Sequence, residues 1–359
     1  MSTQSMASLA ILFLPSLLFA QYPAAPPQDA ITSFPGPDFI LRDEDLKPQK
    51  GRVVLGTDDN GNATVAVYGG SSEIQTGSLS FSGDGRILAV GSTPGRIDLW
   101  DVGAKKRLRT LEGGSTVGLS LDGHLLAKDG KGGDGIELYD VRSGKLQRRI
   151  PRVLKRAENT VETFVFSRDG TLLDVTANGD DDTVYEVASG KLLATLTNTK
   201  HSQFSKDGSL LVGGNFKHLI VWNTKGWTKV RDLPNGPDYV TQLAAFPEGD
   251  LVVVGGPKVA LLRRLSSGDE VASVGAGFTN FAAFNPSGTL IFTYSGSSGF
   301  AVWGTSGRCY CSRRDLGNGT VAISADGRWL AAGPENGGTT VMIWDMQNAL
   351  AVCGAAAKQ

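Results

Sequence analysis

Four groups of residues in this 359-residue chain have the types that do chemistry. The first is "NGDDD", where Asp180, Asp181 and Asp182 stand in a row. With Asp129 and Asp134 of the preceding stretch they offer the carboxylate oxygens that Ca²⁺ takes six to eight at a time. Acids in a glycine-rich loop are more commonly solvated, and that is the expectation here. The second is "RRIPRVLKRAENT", which carries Arg148, Arg149, Arg152, Lys155 and Arg156. The third is a set of three cysteines, too few for a disulfide-dense scaffold. The simplest expectation leaves them unpaired on outer strands, while export would permit one bond from Cys353 to Cys309 or to Cys311. The fourth is "GKGGDG", residues 130–135, which fits G-x-G-x-x-G. A dinucleotide site needs a strand before those glycines and a helix after them, so that phosphate meets the helix N-terminus. The segment that follows, "IELYD", reads as a strand, so the glycines form a loop and no cofactor is expected. His124, His201 and His218 lie far apart without zinc-ligand spacing. No G-x-S-x-G, P-loop or H-E-x-x-H occurs, so no catalytic residue or metal is expected.

The elements that must position these groups repeat. "FSGDGRILAVGS", residues 81–92, sets an Asp-Gly turn between two apolar stretches, a strong hairpin signal because glycine accepts the positive φ of such turns. The phrase returns at Asp122-Gly123, Asp169-Gly170, Asp207-Gly208 and Asp326-Gly327, after the first copy at Asp84-Gly85, with worn copies at Glu248-Gly249 and Ser287-Gly288. Successive copies are 38, 47, 38, 41, 39 and 39 residues apart. A second marker follows each turn by 15 to 18 residues, at Trp100, Tyr139, Tyr185, Trp222, Arg263, Trp303 and Trp344. A period near 40 with strand-like content is that of a β-propeller blade, a unit that cannot bury both faces alone. Seven copies predict an all-β, seven-bladed propeller of four-stranded antiparallel blades. Runs such as "DLVVVGG" and "WLAAG" read as strands covered on both faces, and the 47 glycines follow from the many tight turns.

The marker tripeptides carry a family resemblance. "LWD" ending in Trp100-Asp101, "LYD" ending in Tyr139-Asp140 and "IWD" ending in Trp344-Asp345 resemble the ends of WD repeats, the propeller family related to the G-protein β subunit. The resemblance covers roughly residues 52–353. It departs from the family where Tyr185 precedes Glu186, Trp222 precedes Asn223, Trp303 precedes Gly304, and Arg263-Arg264 replaces Trp-Asp. The family's Gly-His dipeptide is missing, so its hydrogen-bonded His, Ser/Thr, Trp and Asp arrangement is not expected to form. Blade stability must then come mainly from packing. The resemblance implies a non-catalytic scaffold that binds a protein or peptide partner through its face loops. The alternative is a lactonase-like or quinoprotein-like enzyme acting on a small molecule at the central channel. Arg152, Lys155 and Arg156 occupy the longest link between repeats and are the candidate partner-binding residues.

Thirty-five basic and 36 acidic residues leave a formal charge of −1, which supplies no field for nucleic acid. The N-terminus differs from the rest. "MASLAILFLPSLLFA", ending at Ala20, has the length of a signal-peptide core and is too short to span a bilayer comfortably. Residues 1–20 are therefore expected to be a signal peptide for an extracytoplasmic protein, with an uncleaved anchor as the alternative; the mature domain is not expected to insert in a membrane. Residues 21–50, rich in proline, read as a linker, and 51–359 as the propeller. A strand at "RVVLG" or "ATVAVYG", residues 52–56 or 63–69, is expected to complete the last blade and so close the ring.

Overall fold

The computed structural model describes residues 32–41, 53–57, 63–67 and, with short gaps, 75–354. Seven antiparallel sheets follow one another along the chain at 75–112, 117–150, 161–196, 203–234, 242–276, 279–313 and 321–345, each led by one repeat. They are blades 1 to 7. The first strands of neighbouring blades touch all the way round, and the first strand of blade 7 touches that of blade 1, so the sheets form a closed ring. Hydrogen bonds stitch these inner strands together: Ser80 accepts from the amide of Leu119 at 2.9 Å, and Thr241 donates to the carbonyl of Thr279 at 2.8 Å.

Alternation along each strand sends one apolar row to each neighbouring blade. Leu138 of blade 2 thus shares a core with Leu173 and Val175 of blade 3, and Leu262 of blade 5 with Ile291 of blade 6. Both faces are covered, which is why the middle strands read as unbroken apolar runs.

The repeated phrase builds one turn. In blade 1, Ser82 Oγ donates to Asp84 at 2.7 Å and accepts from the amide of Ile87 at 3.0 Å, while Asp84 accepts from the amide of Arg86 at 3.1 Å. The Asp-Gly pair lies inside a four-residue connection, with Gly85 at φ +65°. Ser120 with Asp122, Ser167 with Asp169, Ser205 with Asp207 and Ser324 with Asp326 repeat the pattern. In blade 6 Asn285 takes the serine's place, its side-chain carbonyl accepting from the amide of Leu290 at 2.8 Å.

Each second marker is the penultimate residue of its blade's third strand. Trp100, Tyr185, Trp222, Trp303 and Trp344 are buried. Arg263 replaces the aromatic ring with a stem that places its guanidinium on the carbonyls of Gly268 and Pro234. The polar residue after the marker holds the next turn: Asp101 accepts from the amide of Ala104 at 2.7 Å, Asp140 from that of Ser143 at 2.6 Å, and Asn223 from that of Lys225 at 2.9 Å. Asp345 caps the helix Met346–Val352. Three indoles keep single hydrogen-bonded anchors, Trp222 on Thr199, Trp303 on Thr293 and Trp344 on the carbonyl of Pro35.

Ring closure differs from the expectation. The strands Val53–Thr57 and Ala63–Val67 pair with each other as a hairpin and with no other described strand. Blade 7 is completed instead by Phe39–Leu41, antiparallel to Val341–Asp345, and Thr32–Ser33 lies parallel to the outer strand of blade 6, Cys309–Arg313. The propeller therefore includes residues 32–41, inside the span expected as a linker. Between those strands Phe34, with no exposed surface, packs its ring 4.9 Å from Phe300 and 6.2 Å from Trp344.

Cys311 and Cys353 form a disulfide and Cys309 is free, against the expectation of three unpaired thiols. The bond ties the C-terminal helix to blade 6 across 42 residues, a crosslink of a kind that contributes about 2–4 kcal/mol. Burial pushes the Cys309 thiol up to about 11. Among the described residues no helix is long and apolar enough to cross a membrane.

Candidate functional site, the two faces of the ring

The links between blades and the loops between second and third strands share one face, here the link face. The amide of Gly113 bonds to Gly95, that of Gly277 to Lys258, and that of Gly333 to Thr320, each joining the two loop types. The hairpin turns between first and second strands share the opposite face with those between third and fourth, through Val102 to Arg86, Val141 to His124 and Leu265 to Asp250.

Of the candidate partner-binding residues, Arg152, Lys155 and Arg156 lie outside the described residues. The two cations before them are structural. Arg148 donates to the carbonyl of Ser189 at 3.0 Å, and Arg149 reaches Glu137 at 2.5 Å. Glu137 also meets Lys128 at 2.7 Å, and the pair is almost fully buried. Burial raises the Glu137 carboxyl, but Lys128 and Arg149 outweigh it and hold the group below its usual range. In blade 1, Asp98 is likewise buried and satisfied, by Arg96 at 2.9 Å and Thr110 at 2.6 Å.

The acidic run behaves otherwise. Asp134 and Asp180 lie outside the described residues. Asp181 accepts from the amide of Asn198 at 3.2 Å. Asp182, expected in a solvated loop, is the first residue of the strand Asp182–Glu186 and has no exposed surface. The strand begins one residue after Asp181, and alternation turns Asp182 toward blade 4. It lies there with Asp174 and Thr176 of the adjoining strand Leu172–Ala177, both fully buried. Ser202 donates to Asp174. Burial raises Asp174 to about 7, against the hydrogen bond from Ser202; burial and then the nearby Asp174 raise Asp182 well above the carboxylate range. Thr176, Ser202 and Lys200 favour the charged form of Asp182, and the Lys200 ammonium is itself held on the carbonyl of Ala177 at 3.2 Å. Among the described residues no three His, Cys, Asp or Glu side chains come together as a metal site.

Two features of the faces have no signal in the repeat pattern. On the link face Tyr239 and Phe278, 38% and 45% exposed, stand edge-on with ring centroids 6.4 Å apart. They come from the links after blades 4 and 5 and meet only because those blades are neighbours. On the turn face a groove of about 600 Å³ opens beside the hairpin turn of blade 4.

Residues 319–345, the repeat that ends in Trp344-Asp345, match the family model described as WD domain, G-beta repeat. The fold is a ring of seven four-stranded blades, and its last repeat matches a WD repeat. Pre-mRNA-processing factor 19 of Oryza sativa subsp. japonica is 36% identical over 137 residues, 36% of this chain and 25% of that protein. Pre-mRNA-processing factor 19 homolog 2 of Arabidopsis thaliana is 28% identical over 182 residues, 46% of this chain and 33% of that protein. The aligned part of the chain thus spans a quarter to a third of the curated relatives it matches.

Proposed function

We propose that this WD-repeat propeller is a non-catalytic scaffold that holds a protein or peptide partner on its link face. The observation that carries the reading is an exposed aromatic pair, Tyr239 and Phe278, set on a ring whose links are fixed by backbone hydrogen bonds. Large aromatic side chains on a rigid base are the usual anchors of protein interfaces, because they bury much area for little lost freedom. The likeness to pre-mRNA-processing factors lies over a minor part of those proteins, so their activity is not carried over. Arg152, Lys155 and Arg156 add positive charge in the long link after blade 2. Electrostatic complementarity at such a site governs encounter and register more than folding.

Replacing these three residues by Glu should weaken partner capture and leave the melting temperature unchanged, the outcome expected of a docking link. Co-purification and thermal melting, run in parallel, decide it. Undiminished capture removes that link from the interface, and turnover of a lactone panel by the purified chain would favour the channel enzyme instead.

We also propose that the protein works outside the cytoplasm. A Cys311–Cys353 bond suits an oxidising compartment, and residues 1–20 have the form of a signal peptide. Protein recovered from outside the cytoplasm should have an intact mass without residues 1–20. Alkylated in denaturant without reduction, it should show one thiol, that of Cys309. A mass that includes residues 1–20 would instead mean an anchor, and three labelled thiols would remove the bond.

A further inference from the structure

Each blade sets two residues at fixed points of its repeat in the seam toward the next blade. One is the fifth after the hairpin's Asp position, where six blades have Ala89, Ala127, Val212, Val253, Phe292 and Ala331. The other is the third before the second marker, where the same blades have Ile97, Ile136, Leu219, Ala260, Phe300 and Val341. All of these are buried, and within each blade the two share one apolar cluster. Blade 3 has Asp174 and Asp182 at those points. Two core positions have turned acidic in the same blade, and they face the same seam.

The oxygens there lack donors. Asp174 Oδ1, both carboxyl oxygens of Asp182 and Oγ1 of Thr176 have no hydrogen-bond partner, and none of the three residues has exposed surface. Thr176 shares the side of the sheet that Asp174 occupies, two residues before it. Ser202, also buried, has one hydroxyl proton and gives it to Asp174 Oδ2. Lys200 tempers the charge from the link, but its ammonium is held on the carbonyl of Ala177 at 3.2 Å. Buried carboxylates are stable when paired or coordinated, so these lone pairs call for a positive ligand.

We propose that Asp174, Thr176, Asp182 and Ser202 hold a Ca²⁺ ion that ties blade 3 to the link entering blade 4. The four unpartnered oxygens, with Asp174 Oδ2 and the lone pairs of Ser202 Oγ, make six ligands, within the six to eight that Ca²⁺ takes. None of the four residues offers the nitrogen or sulfur that zinc and copper favour. Mg²⁺ keeps several of its waters, and these buried oxygens leave them no place. The two carboxylates balance the charge of the ion. In metal-free buffer a proton is the positive ligand that remains, so proton and cation compete for the pair. The inference stands apart from the scaffold reading, since it concerns the interior between two blades and neither face.

The experiment uses the full chain stripped with EGTA. After calcium is returned and the excess removed by gel filtration, metal analysis should find a single ion per chain. CaCl₂ at roughly a hundredfold excess over the dissociation constant should raise the melting temperature on the order of 5 °C, and MgCl₂ or KCl at the same ionic strength should not. Asp174→Val with Asp182→Leu gives blade 3 the residues that blade 4 has at these points. This variant should fold, take up no calcium and melt at a temperature that CaCl₂ leaves unmoved. Asp174→Asn, which keeps the shape of the side chain, should lose most of the binding. Asp180→Asn with Asp181→Asn, just before the strand, should bind as the parent does. A parent without calcium, an equal shift with MgCl₂ or KCl, calcium kept by the Val and Leu variant, or calcium lost only from the Asp180 and Asp181 variant would overturn the proposal.

Discussion

Phe34→Ala is expected to lower the free energy of unfolding by about 3–5 kcal/mol, the range for deleting a fully buried aromatic ring. The side chain has no exposed surface and lies against Phe300 of blade 6 and Trp344 of blade 7, so its loss opens the seam between those blades. The backbone around it is equally committed. Its amide bonds to Ser312, the amide of Asp38 to Ile343, and the indole of Trp344 to Pro35. Removing residues 32–41 altogether should cost more than the point variant, because it also strips Leu41 from the core and leaves the third strand of blade 7 as an open edge. Removal of residues 53–67 is the contrasting case, since the two strands there pair only with each other among the described strands. Denaturant unfolding of the three variants tests the assignment. A sharp loss on removing 53–67, with Phe34→Ala unchanged, would return closure to the strands first expected.

Stability should also fall as pH rises from about 4 to about 7, through Asp174 and Asp182. Asp174 has its folded value raised from 3.8 to about 7, so the fold favours its protonated form. The contribution is complete below the unfolded value and is lost as pH rises to the folded one. Other groups beside the pair act in the same window. His201, half-buried in the adjoining link, has its value lowered by desolvation, so its contribution runs the other way, growing as pH rises toward 6.5. Glu162 and Lys200 act on it in opposite directions, and Lys200 also favours the charged form of Asp182. The comparison that isolates the pair is Asp174→Asn, whose amide oxygen can still accept from Ser202. Its unfolding free energy should gain on the parent between about pH 4 and about pH 7. Parallel pH curves for parent and variant would remove the buried pair as a titrating unit.

The parts of the fold that could be read from the sequence were those that most repeats carry. The Ser-x-Asp-Gly phrase and the marker Trp or Tyr recur because each blade solves the same local problem, a tight turn and a filled seam. The closing strand Phe39–Leu41 has three residues in a proline-rich stretch, and its partner is far along the chain, so no local period signals it. Val53–Thr57 and Ala63–Val67 have the β-branched pattern of good strands, but pattern does not say which edge a strand joins. Asp182 was misread because a run of acids after Asn-Gly has the composition of a loop. A one-residue difference in where the strand begins sends such a side chain to the interior. The groove and the Tyr239–Phe278 pair were not legible at all, since each is assembled from blades whose side chains meet only in three dimensions.

The contact between Trp344 and Pro35 joins residues 309 positions apart, and this sets an order of events during synthesis. At about 5–20 residues per second, roughly 15–60 s separate translation of one partner from that of the other. Throughout that interval the outer strand of blade 7 has nothing to pair with and the seam against blade 6 cannot be filled. The nascent chain is held short of its final cooperative state until its last repeat is made.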